Sequence, residues 1–284
     1  MKATSLNQED FERIHAELLA LAQSKKLCPG QERAGEEKLL LSSYVRHGGH
    51  LGIVGKGGCA LLVFTGCALR CRACLYDKWA IEKEGLEKTP EAIAKILLTA
   101  QAQGNQRIVF MNASHIVHLL LPAIAQAVEQ GLSLPLVWYT HGYEYPETLA
   151  LLAQVFDIFV VDFKFADPSY ASWYTGAPDY TEKLFRATKW LDENVGPLVI
   201  ENDYPKAGYV LRHLLLPDQL KQTEAVFRWI AKNLGYDTYV ELIPAFVPVY
   251  RAQEAGLGRR TTEVDTNKAL EMARRLGLSR VKVC

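Results

Sequence analysis

Apolar residues recur at three- and four-residue steps near the start of the chain. Between residues 7 and 25 they are Phe11, Ile14, Leu18 and Leu21. This spacing places the four side chains on one face of an α-helix. We therefore predict an amphipathic helix that docks on the rest of the protein through this face.

The pattern then becomes irregular over residues 28–58. This stretch contains "CPGQERAGEEK" and "RHGGHLGIVGKGG", which are rich in glycine and charge. Such composition is typical of loops. We predict irregular covering segments here, so that residues 1–58 form an N-terminal helix and cover and residues 59–284 form the main domain.

After Cys59, short apolar runs alternate with segments of helical periodicity, which is typical of βαβ units with a parallel sheet. The predicted strands are 60–65, 107–111, 135–139, 158–162, 209–216 and 238–243. The predicted helices are 90–103, 117–130, 146–154, 180–194, 220–234 and 262–276. Six units are two short of a closed eight-unit barrel. The predicted fold is an α/β partial (β/α)6 TIM-type barrel, open on one side, with an N-terminal helical extension.

Polar side chains collect where the predicted strands end. In barrels of this kind, the chemistry lies in the loops at the carboxyl ends of the strands. Those positions are a cysteine cluster at 67–74, "NASH" at 112–115, "YTHGY" at 139–143, "DFKF" at 162–165, His213 and Glu241. We expect these groups to surround one mouth of the barrel.

Composition and charge argue against several classes of function. The 284 residues carry no formal net charge, so no basic surface for nucleic acid or an anionic membrane is expected. The start "MKATSLNQED" lacks the apolar stretch of a secretory signal, and the run "IVHLLLPAIAQAV" is too short and interrupted to span a bilayer. We predict a cytoplasmic protein.

In the reducing cytoplasm, clustered cysteines are metal ligands or catalysts more often than disulfides. Cys67, Cys71 and Cys74 form C-x3-C-x2-C after a predicted strand. Structural zinc needs four ligands, usually in two separated pairs, and no second pair occurs in the sequence. Three thiolates suit a 4Fe-4S cluster whose fourth iron has no protein ligand and binds a small molecule through an amine and a carboxylate.

The phrase "GCALRCRAC" and its place after the first strand resemble the radical SAM superfamily. The segments "NASH", "YTHGY", "DFKF", "APDYTE", "LRHLLLP" and "LGYDTYVELIPAF" resemble the subgroup related to pyruvate formate-lyase activating enzyme, over residues 50–280. The resemblance implies a 4Fe-4S cluster that cleaves S-adenosylmethionine to a 5′-deoxyadenosyl radical. It also implies an electron donor such as flavodoxin or ferredoxin.

The resemblance assigns the cofactor contacts at the first strand ends. It places Asn112, Ser114 and His115 near the methionine amine, although Ser114 equally suits a helix N-cap. Thr140 corresponds to a threonine in the family's turn, where the alternative is a turn cap. Tyr76 replaces the aromatic residue that usually precedes the third cysteine and would stack on adenine.

Asp162 and Lys164 are two residues apart on an extended segment, so their side chains share one face. By resemblance, Asp162 binds the sugar hydroxyls or a monovalent cation, and Lys164 binds the methionine carboxylate. The alternative is a mutual ion pair at the rim. The resemblance also places His213 beside the cofactor, against the alternative of a buried packing histidine.

The sequence leaves the substrate open. Cys28, Cys59 and Cys284 have no assigned metal, and the acidic-proline element that relatives carry after a histidine is missing beyond His50 and Gly52. We expect hydrogen abstraction from a protein or peptide, including activation of a glycyl radical enzyme. The alternatives are a small-molecule or cofactor-maturation substrate, and a non-catalytic iron–sulfur or zinc protein.

Overall fold

The computed structural model describes residues 2–35, 38–47, 58–111 and 113–284. The strands are β1 (Leu40–His47), β2 (Cys59–Phe64), β3 (Leu86–Glu87), β4 (Ile108–Met111), β5 (Leu136–Thr140), β6 (Ile158–Asp162), β7 (Val199–Glu201), β8 (Tyr204–Leu214), β9 (Val240–Ile243) and β10 (Val281–Val283). The helices are α1 (Gln8–Gln23), α2 (Gln31–Ala34), α3 (Asp77–Ala80), α4 (Pro90–Ala102), α5 (Val117–Glu129), α6 (Pro146–Val155), α7 (Pro168–Thr175), α8 (Tyr180–Asn194), α9 (Leu220–Asn233) and α10 (Glu263–Arg275).

A largely parallel sheet forms the centre of the molecule. Within the described residues the strand order is β10-β9-β8-β6-β5-β4-β2-β1-β3, with β7 paired to β8. The strands from β2 through β10 along this path are parallel. The two ends of this path do not pair with each other, so the barrel is open. The predicted partial barrel is confirmed, and each of its six predicted strands appears.

Strand alternation separates two apolar layers. The inner layer contains Val63, Val160 and Val210 and fills the barrel. The outer layer contains Phe64 and Leu211 and packs beneath the helices. Because side chains alternate between the faces, residues two positions beyond an inner valine also point into the barrel.

The predicted N-terminal helix is α1. Phe11, Ile14 and Leu18 are buried along one face, which packs on α5 and α6. Asn7 caps the helix by accepting a hydrogen bond from the Asp10 N–H at 2.9 Å. The Asp10 carboxylate accepts the Asn7 N–H in return, which completes a capping box.

The prediction of irregular structure over residues 28–58 is wrong for Leu40–His47. This segment is β1, which pairs antiparallel with β2 and covers an edge that the parallel strands leave open. Ser42 Oγ also donates a hydrogen bond to the Val63 carbonyl oxygen at 2.7 Å. Residues 48–57 lie outside the described part, and the division at residue 58 stays a prediction.

Besides β1, the sequence prediction has no counterpart for α2, α3, α7, β3, β7 and β10. The helix α7 follows β6, and the strand β10 adds a seventh parallel strand beside β9. None of the helices in the described ranges has the length and apolarity to cross a membrane.

Candidate functional site

The carboxyl ends of the parallel strands surround a cavity of about 420 Å³. Six of the predicted site residues line it. They are Cys67, Cys71, Cys74, Tyr76, Asp162 and Lys164. Tyr139, His141, Arg212 and Cys284 lie in the same wall. The structure therefore brings the cysteine cluster and the charged pair of β6 into one space.

The loop that carries the three cysteines is tied to helix α7. Arg70 N–H donates to the Thr175 carbonyl oxygen at 2.7 Å, and Arg72 N–H donates to the Tyr174 carbonyl oxygen at 3.0 Å. These backbone bonds flank Cys71. Helix α7 thus holds the cysteine loop in place over the cavity. An element that follows β6 in the chain therefore helps to position the cysteines.

Gly66 begins the loop in a conformation that suits glycine. Its φ is +87°, and a Cβ there would collide with the Ala34 carbonyl oxygen and press on the His115 ring. A residue with a side chain would also be strained at this φ. The turn from β2 into the cysteine loop therefore requires glycine.

All six cysteines of the chain are described, and none is in a disulfide. Cys67 Sγ accepts a hydrogen bond from the Leu69 N–H at 3.4 Å. Burial acts to raise the pKa of the Cys67 thiol, but His141, the Leu69 N–H and Lys164 outweigh it, so that pKa lies below its usual value. Cys67 is thus stabilised as a thiolate, the form that binds metal.

The other two thiols have raised pKa values. Burial raises the pKa of Cys71 to about 12 and that of Cys74 to about 11. Lys164 opposes the rise at Cys71, while the neighbouring thiols add to it. Cys67 contributes to the raised pKa of both Cys71 and Cys74, because the three sulfur atoms lie close together around one cavity.

The donor set fits a cluster better than a single ion. Within the described residues, no group of three or more histidine, cysteine or acidic side chains converges on a point that would hold one metal ion. Three thiols that border a common cavity, with a backbone N–H directed at one sulfur, match the ligation of an iron–sulfur cluster.

Asp162 is the centre of a charged network opposite the cysteines. Its carboxylate accepts a hydrogen bond from Tyr139 Oη at 2.7 Å and pairs with Lys164 Nζ at 3.0 Å. His141 Nδ1 lies 3.5 Å from the same carboxylate. Burial acts to raise the pKa of Asp162, but Lys164, His141 and Arg212 hold it well below its usual range. The pair is both a mutual ion pair and part of the cavity wall.

Arg212 and Glu241 extend this network. Arg212 Nε lies 3.0 Å from Glu241 Oε2, and Arg212 Nη1 donates to Tyr139 Oη at 3.1 Å. Glu241 is fully buried. Sequence reasoning noted Glu241 as a candidate but gave no role to Arg212, His141 or Tyr139. The alternation of β8 is the signal for Arg212, because this residue shares the inner face of Val210.

Ser114, His115 and Thr140 do not line the main cavity. They border a smaller void of about 30 Å³, which shares the Cys67 wall with the cavity. Ser114 Oγ donates to the Glu144 carboxylate, and Thr140 Oγ1 accepts the Gly142 N–H at 2.9 Å. These bonds shape the backbone behind Cys67. Contact with the methionine amine stays a prediction for all three residues.

His213 also lies away from the cavity. Its side chain is on the outer face of β8, where Nδ1 is 3.0 Å from the Phe163 carbonyl oxygen and Nε2 is 3.0 Å from Thr223 Oγ1. Burial lowers the pKa of His213 to about 4. This geometry favours the packing alternative over the predicted contact with the cofactor.

Tyr76 and Asn112 are the remaining predicted site residues. Tyr76 lines the cavity and stacks on Trp79 with ring centroids 5.3 Å apart. A role in adenine binding stays a prediction. Asn112 lies outside the described residues.

Residues 53–172 match a family model described as a 4Fe-4S single cluster domain. Over 256 residues, the chain is 26% identical to the uncharacterized protein MJ0674 of Methanocaldococcus jannaschii. That alignment covers 86% of this chain and 65% of the relative. The chain therefore spans slightly less than two thirds of the length of the curated relative it matches.

Three solved structures align with the chain at low sequence identity. Streptococcus suis SuiB, bound to precursor peptide SuiA, aligns with a TM-score of 0.55 and 12% identity, over 79% of this chain and 48% of SuiB. QueE from Escherichia coli aligns with a TM-score of 0.48 and 12% identity, over 90% and 98% of the two chains. A domain of pyruvate-formate lyase-activating enzyme from Bacteroides vulgatus aligns with a TM-score of 0.39 and 13% identity, over 69% and 91%.

The family match agrees with the site geometry. Cys67, Cys71 and Cys74 lie within the matched residues 53–172, and the family description names the cluster that their spacing predicts. The predicted 4Fe-4S cluster and the predicted fold are confirmed. The three thiols therefore lie in a part of the chain that is similar to 4Fe-4S single cluster domains.

Proposed function

We propose that this protein abstracts a hydrogen atom from a protein or peptide substrate by radical SAM chemistry, with activation of a glycyl radical enzyme as the most specific form. One observation carries the proposal. The three cysteines and the Asp162–Lys164 pair face the same cavity at the carboxyl ends of the strands.

Cys67, Cys71 and Cys74 would hold the cluster. When bound, it supplies one electron that cleaves S-adenosylmethionine into methionine and the 5′-deoxyadenosyl radical. The protein binds and orients the reactants and restricts access of water. The Leu69 N–H contributes by donating to the sulfur of Cys67, a bond of the kind that tunes iron–sulfur potentials.

Lys164 and Asp162 would bind the rest of the co-substrate. Asp162 and neighbouring groups outweigh the effect of burial and keep the pKa of Lys164 well above its usual value, so its ammonium group stays charged. A fixed cation beside the cysteines is suited to the methionine carboxylate. The Asp162 carboxylate is suited to sugar hydroxyls or to a monovalent cation, and Tyr76 to the adenine ring.

Exposed apolar residues at the rim of the cavity favour a macromolecular substrate. Leu75 lines the cavity and is 59% exposed, and Trp173 is 40% exposed beside the cysteine loop. Exposed apolar groups of this kind mark binding surfaces when they are contiguous. The related fold of SuiB accommodates a precursor peptide.

A second candidate is a small-molecule or cofactor-maturation substrate. A volume of about 420 Å³ lies within the range of small-molecule pockets. A compact substrate would fit such a space without engaging Leu75 or Trp173. The two candidates therefore differ in whether the rim takes part in binding.

We also propose that flavodoxin or ferredoxin delivers the electron. Arg72 lies beside the cysteine loop, with its guanidinium 4.7 Å from the centre of the Trp173 ring. A cation at this position suits an acidic redox protein, since opposite charges steer association.

Isotope transfer distinguishes the substrate classes. Cells grown on deuterated amino acids are lysed anaerobically, and the extract is separated by ultrafiltration into macromolecules and small molecules. Each fraction is incubated with the reconstituted protein, reductant and S-adenosylmethionine. We expect 5′-deoxyadenosine to gain deuterium from the macromolecular fraction. Transfer from the small-molecule fraction alone would contradict the proposal and support the second candidate.

A further inference from the structure

Tyr174 lies in the wall of the cavity and has an unpaired hydroxyl group. The residue is near the end of α7, is 3% exposed and lines the same cavity as the three cysteines. Within the described part of the chain, its hydroxyl forms no hydrogen bond, and it is not among the polar atoms that are enclosed without a partner. The hydroxyl is therefore open to the cavity and available to a ligand.

The aromatic ring of Tyr174 is held in place by its neighbours. Phe165, which also lines the cavity, meets this ring edge-on with the ring centroids 4.8 Å apart. Tyr170 stacks on it with the centroids 6.4 Å apart. The backbone carbonyl oxygen of Tyr174 accepts the Arg72 N–H at 3.0 Å. Because the ring is already ordered, a ligand that binds its hydroxyl has little side-chain entropy to offset.

The surroundings of this hydroxyl favour an uncharged acceptor. The Tyr139 hydroxyl and the Lys164 ammonium group of the same cavity both contact Asp162. Tyr174 instead stands among aromatic rings, where a carboxylate is more costly to bury than a neutral carbonyl group. Burial raises the pKa of Tyr174, so its hydroxyl keeps the proton that it would donate.

The position of α7 favours a peptide as the source of that acceptor. Trp173 is exposed beside the cysteine loop, and the next residue, Tyr174, lines the cavity. Each residue of a peptide carries a backbone carbonyl group, which needs a hydrogen-bond donor once it leaves water. A peptide segment that passes Trp173 into the cavity would bring such a carbonyl group to the Tyr174 hydroxyl.

We propose that Tyr174 is a substrate-binding residue whose hydroxyl group donates a hydrogen bond to a backbone carbonyl oxygen of the peptide substrate. The proposal rests on the proposed function in one respect, namely that the substrate is a protein or peptide. It gives this hydroxyl no part in binding S-adenosylmethionine. Removal of the hydroxyl should therefore weaken substrate binding and leave co-substrate binding intact.

Tyr174→Phe tests the proposal, because it removes the hydroxyl and keeps the ring. Tyr170→Phe is the matched control, since it removes a hydroxyl of the same helix that is enclosed without a partner. The macromolecular fraction of deuterated cells is titrated against each reconstituted protein with reductant and saturating S-adenosylmethionine. Deuterated 5′-deoxyadenosine is measured per bound cluster, so partial loss of cluster does not change the half-saturating amount. Anaerobic calorimetry gives the Kd of S-adenosylmethionine separately.

We expect the half-saturating amount of the macromolecular fraction to rise about 2- to 10-fold in Tyr174→Phe, the effect of one hydrogen bond between neutral groups. It should not change in Tyr170→Phe, and the Kd of S-adenosylmethionine should not change in either variant. An unchanged half-saturating amount in Tyr174→Phe would overturn the proposal. A higher Kd of S-adenosylmethionine in Tyr174→Phe alone would also overturn it, because the hydroxyl would then serve the co-substrate.

Failure of the inference can be told from failure of the proposed function. If the unmodified protein transfers deuterium from the macromolecular fraction and Tyr174→Phe matches it, only the role of Tyr174 is wrong. If the unmodified protein transfers no deuterium from this fraction, the proposed function is wrong.

Discussion

Cys59 and Cys71 illustrate how position separates the roles of identical side chains. Cys59 is fully buried at the start of β2, and burial raises its pKa to about 11. Cys71 lies in the loop after β2 and lines the cavity. Only the second of these thiols has access to the space that a cluster would fill.

We therefore expect Cys71→Ala to abolish the brown absorbance of the reconstituted protein, because two thiolates do not hold the cube. Cys67→Ala and Cys74→Ala should behave alike. Cys59→Ser is the control and should keep the absorbance and the iron content. Retention of full iron and absorbance in Cys71→Ala would contradict the ligand assignment.

Lys164 is expected to contribute directly to co-substrate affinity. Its replacement by methionine removes the charge that would bind a carboxylate and leaves Asp162 with one cation fewer. Since hydrogen bonds to charged groups are worth about 1.5–3 kcal/mol, we expect the Kd of S-adenosylmethionine to rise about 10- to 100-fold. Anaerobic calorimetry on cluster-loaded protein measures this. Lys221→Met, on the exposed start of α9, should leave the Kd unchanged, and an unchanged Kd in Lys164→Met would contradict the assignment.

At the scale of elements, the turn from β2 into the cysteine loop is the most constrained connection. Gly66→Ala should lower the free energy of unfolding by about 2 kcal/mol or more, because the strain of positive φ adds to the collision with the Ala34 carbonyl oxygen. Gly104 is a matched control, since its φ is +76° and nothing lies within 4 Å of an added Cβ. Gly104→Ala should cost about 1 kcal/mol.

Urea unfolding of the two variants gives both values. Cluster content is a second readout, because a displaced loop moves all three cysteines in Gly66→Ala and none in Gly104→Ala. Equal losses of stability in the two variants would show that the close approach to Ala34 does not constrain the turn.

The regular elements of the barrel are predictable from sequence because local signals agree with the fold. Helix α4 shows this, with Thr89 accepting the Ala92 N–H as N-cap and Pro90 at the first position. β10 is only three residues long, and β1 lies in a stretch dominated by glycine and charge. β10 is at one end of the sheet, and β1 lies between β2 and the two-residue β3, so the pairing of both strands depends on tertiary contacts, which periodicity does not report.

The site residues that could be predicted from the sequence are those that belong to recognisable motifs. The three cysteines, Asp162 and Lys164 reach the cavity as the sequence predicts. His141 and Arg212 become visible only when strands distant in sequence are brought together. The family resemblance places His213 beside the cofactor, but the alternation of β8 puts its side chain on the outer face together with Leu211. This alternation was the more informative signal for His213.

At the scale of the whole molecule, two buried histidines link stability to pH. Burial lowers the pKa of His115 and that of His213 to about 4. Below the unfolded value of about 6.5, the unfolded chain takes up protons that the folded protein excludes. The free energy of unfolding should therefore fall as the pH decreases from about 6.5 to about 4.

Urea titrations between pH 7 and pH 5 test this linkage. His213→Gln should show a shallower fall than the unmodified protein, whatever its stability at pH 7, since one of the two protonation sites is gone. An identical pH dependence in the two proteins would contradict the burial of a neutral imidazole at this position.

The central claim is that three thiols of an open barrel hold a cluster that cleaves S-adenosylmethionine. The most direct test is anaerobic incubation of the reconstituted protein with a strong reductant and S-adenosylmethionine, followed by chromatography of the products. We expect 5′-deoxyadenosine and methionine in equal amounts from the unmodified protein and neither above background from Cys71→Ala. Fully loaded protein that forms no more 5′-deoxyadenosine than Cys71→Ala would contradict the claim.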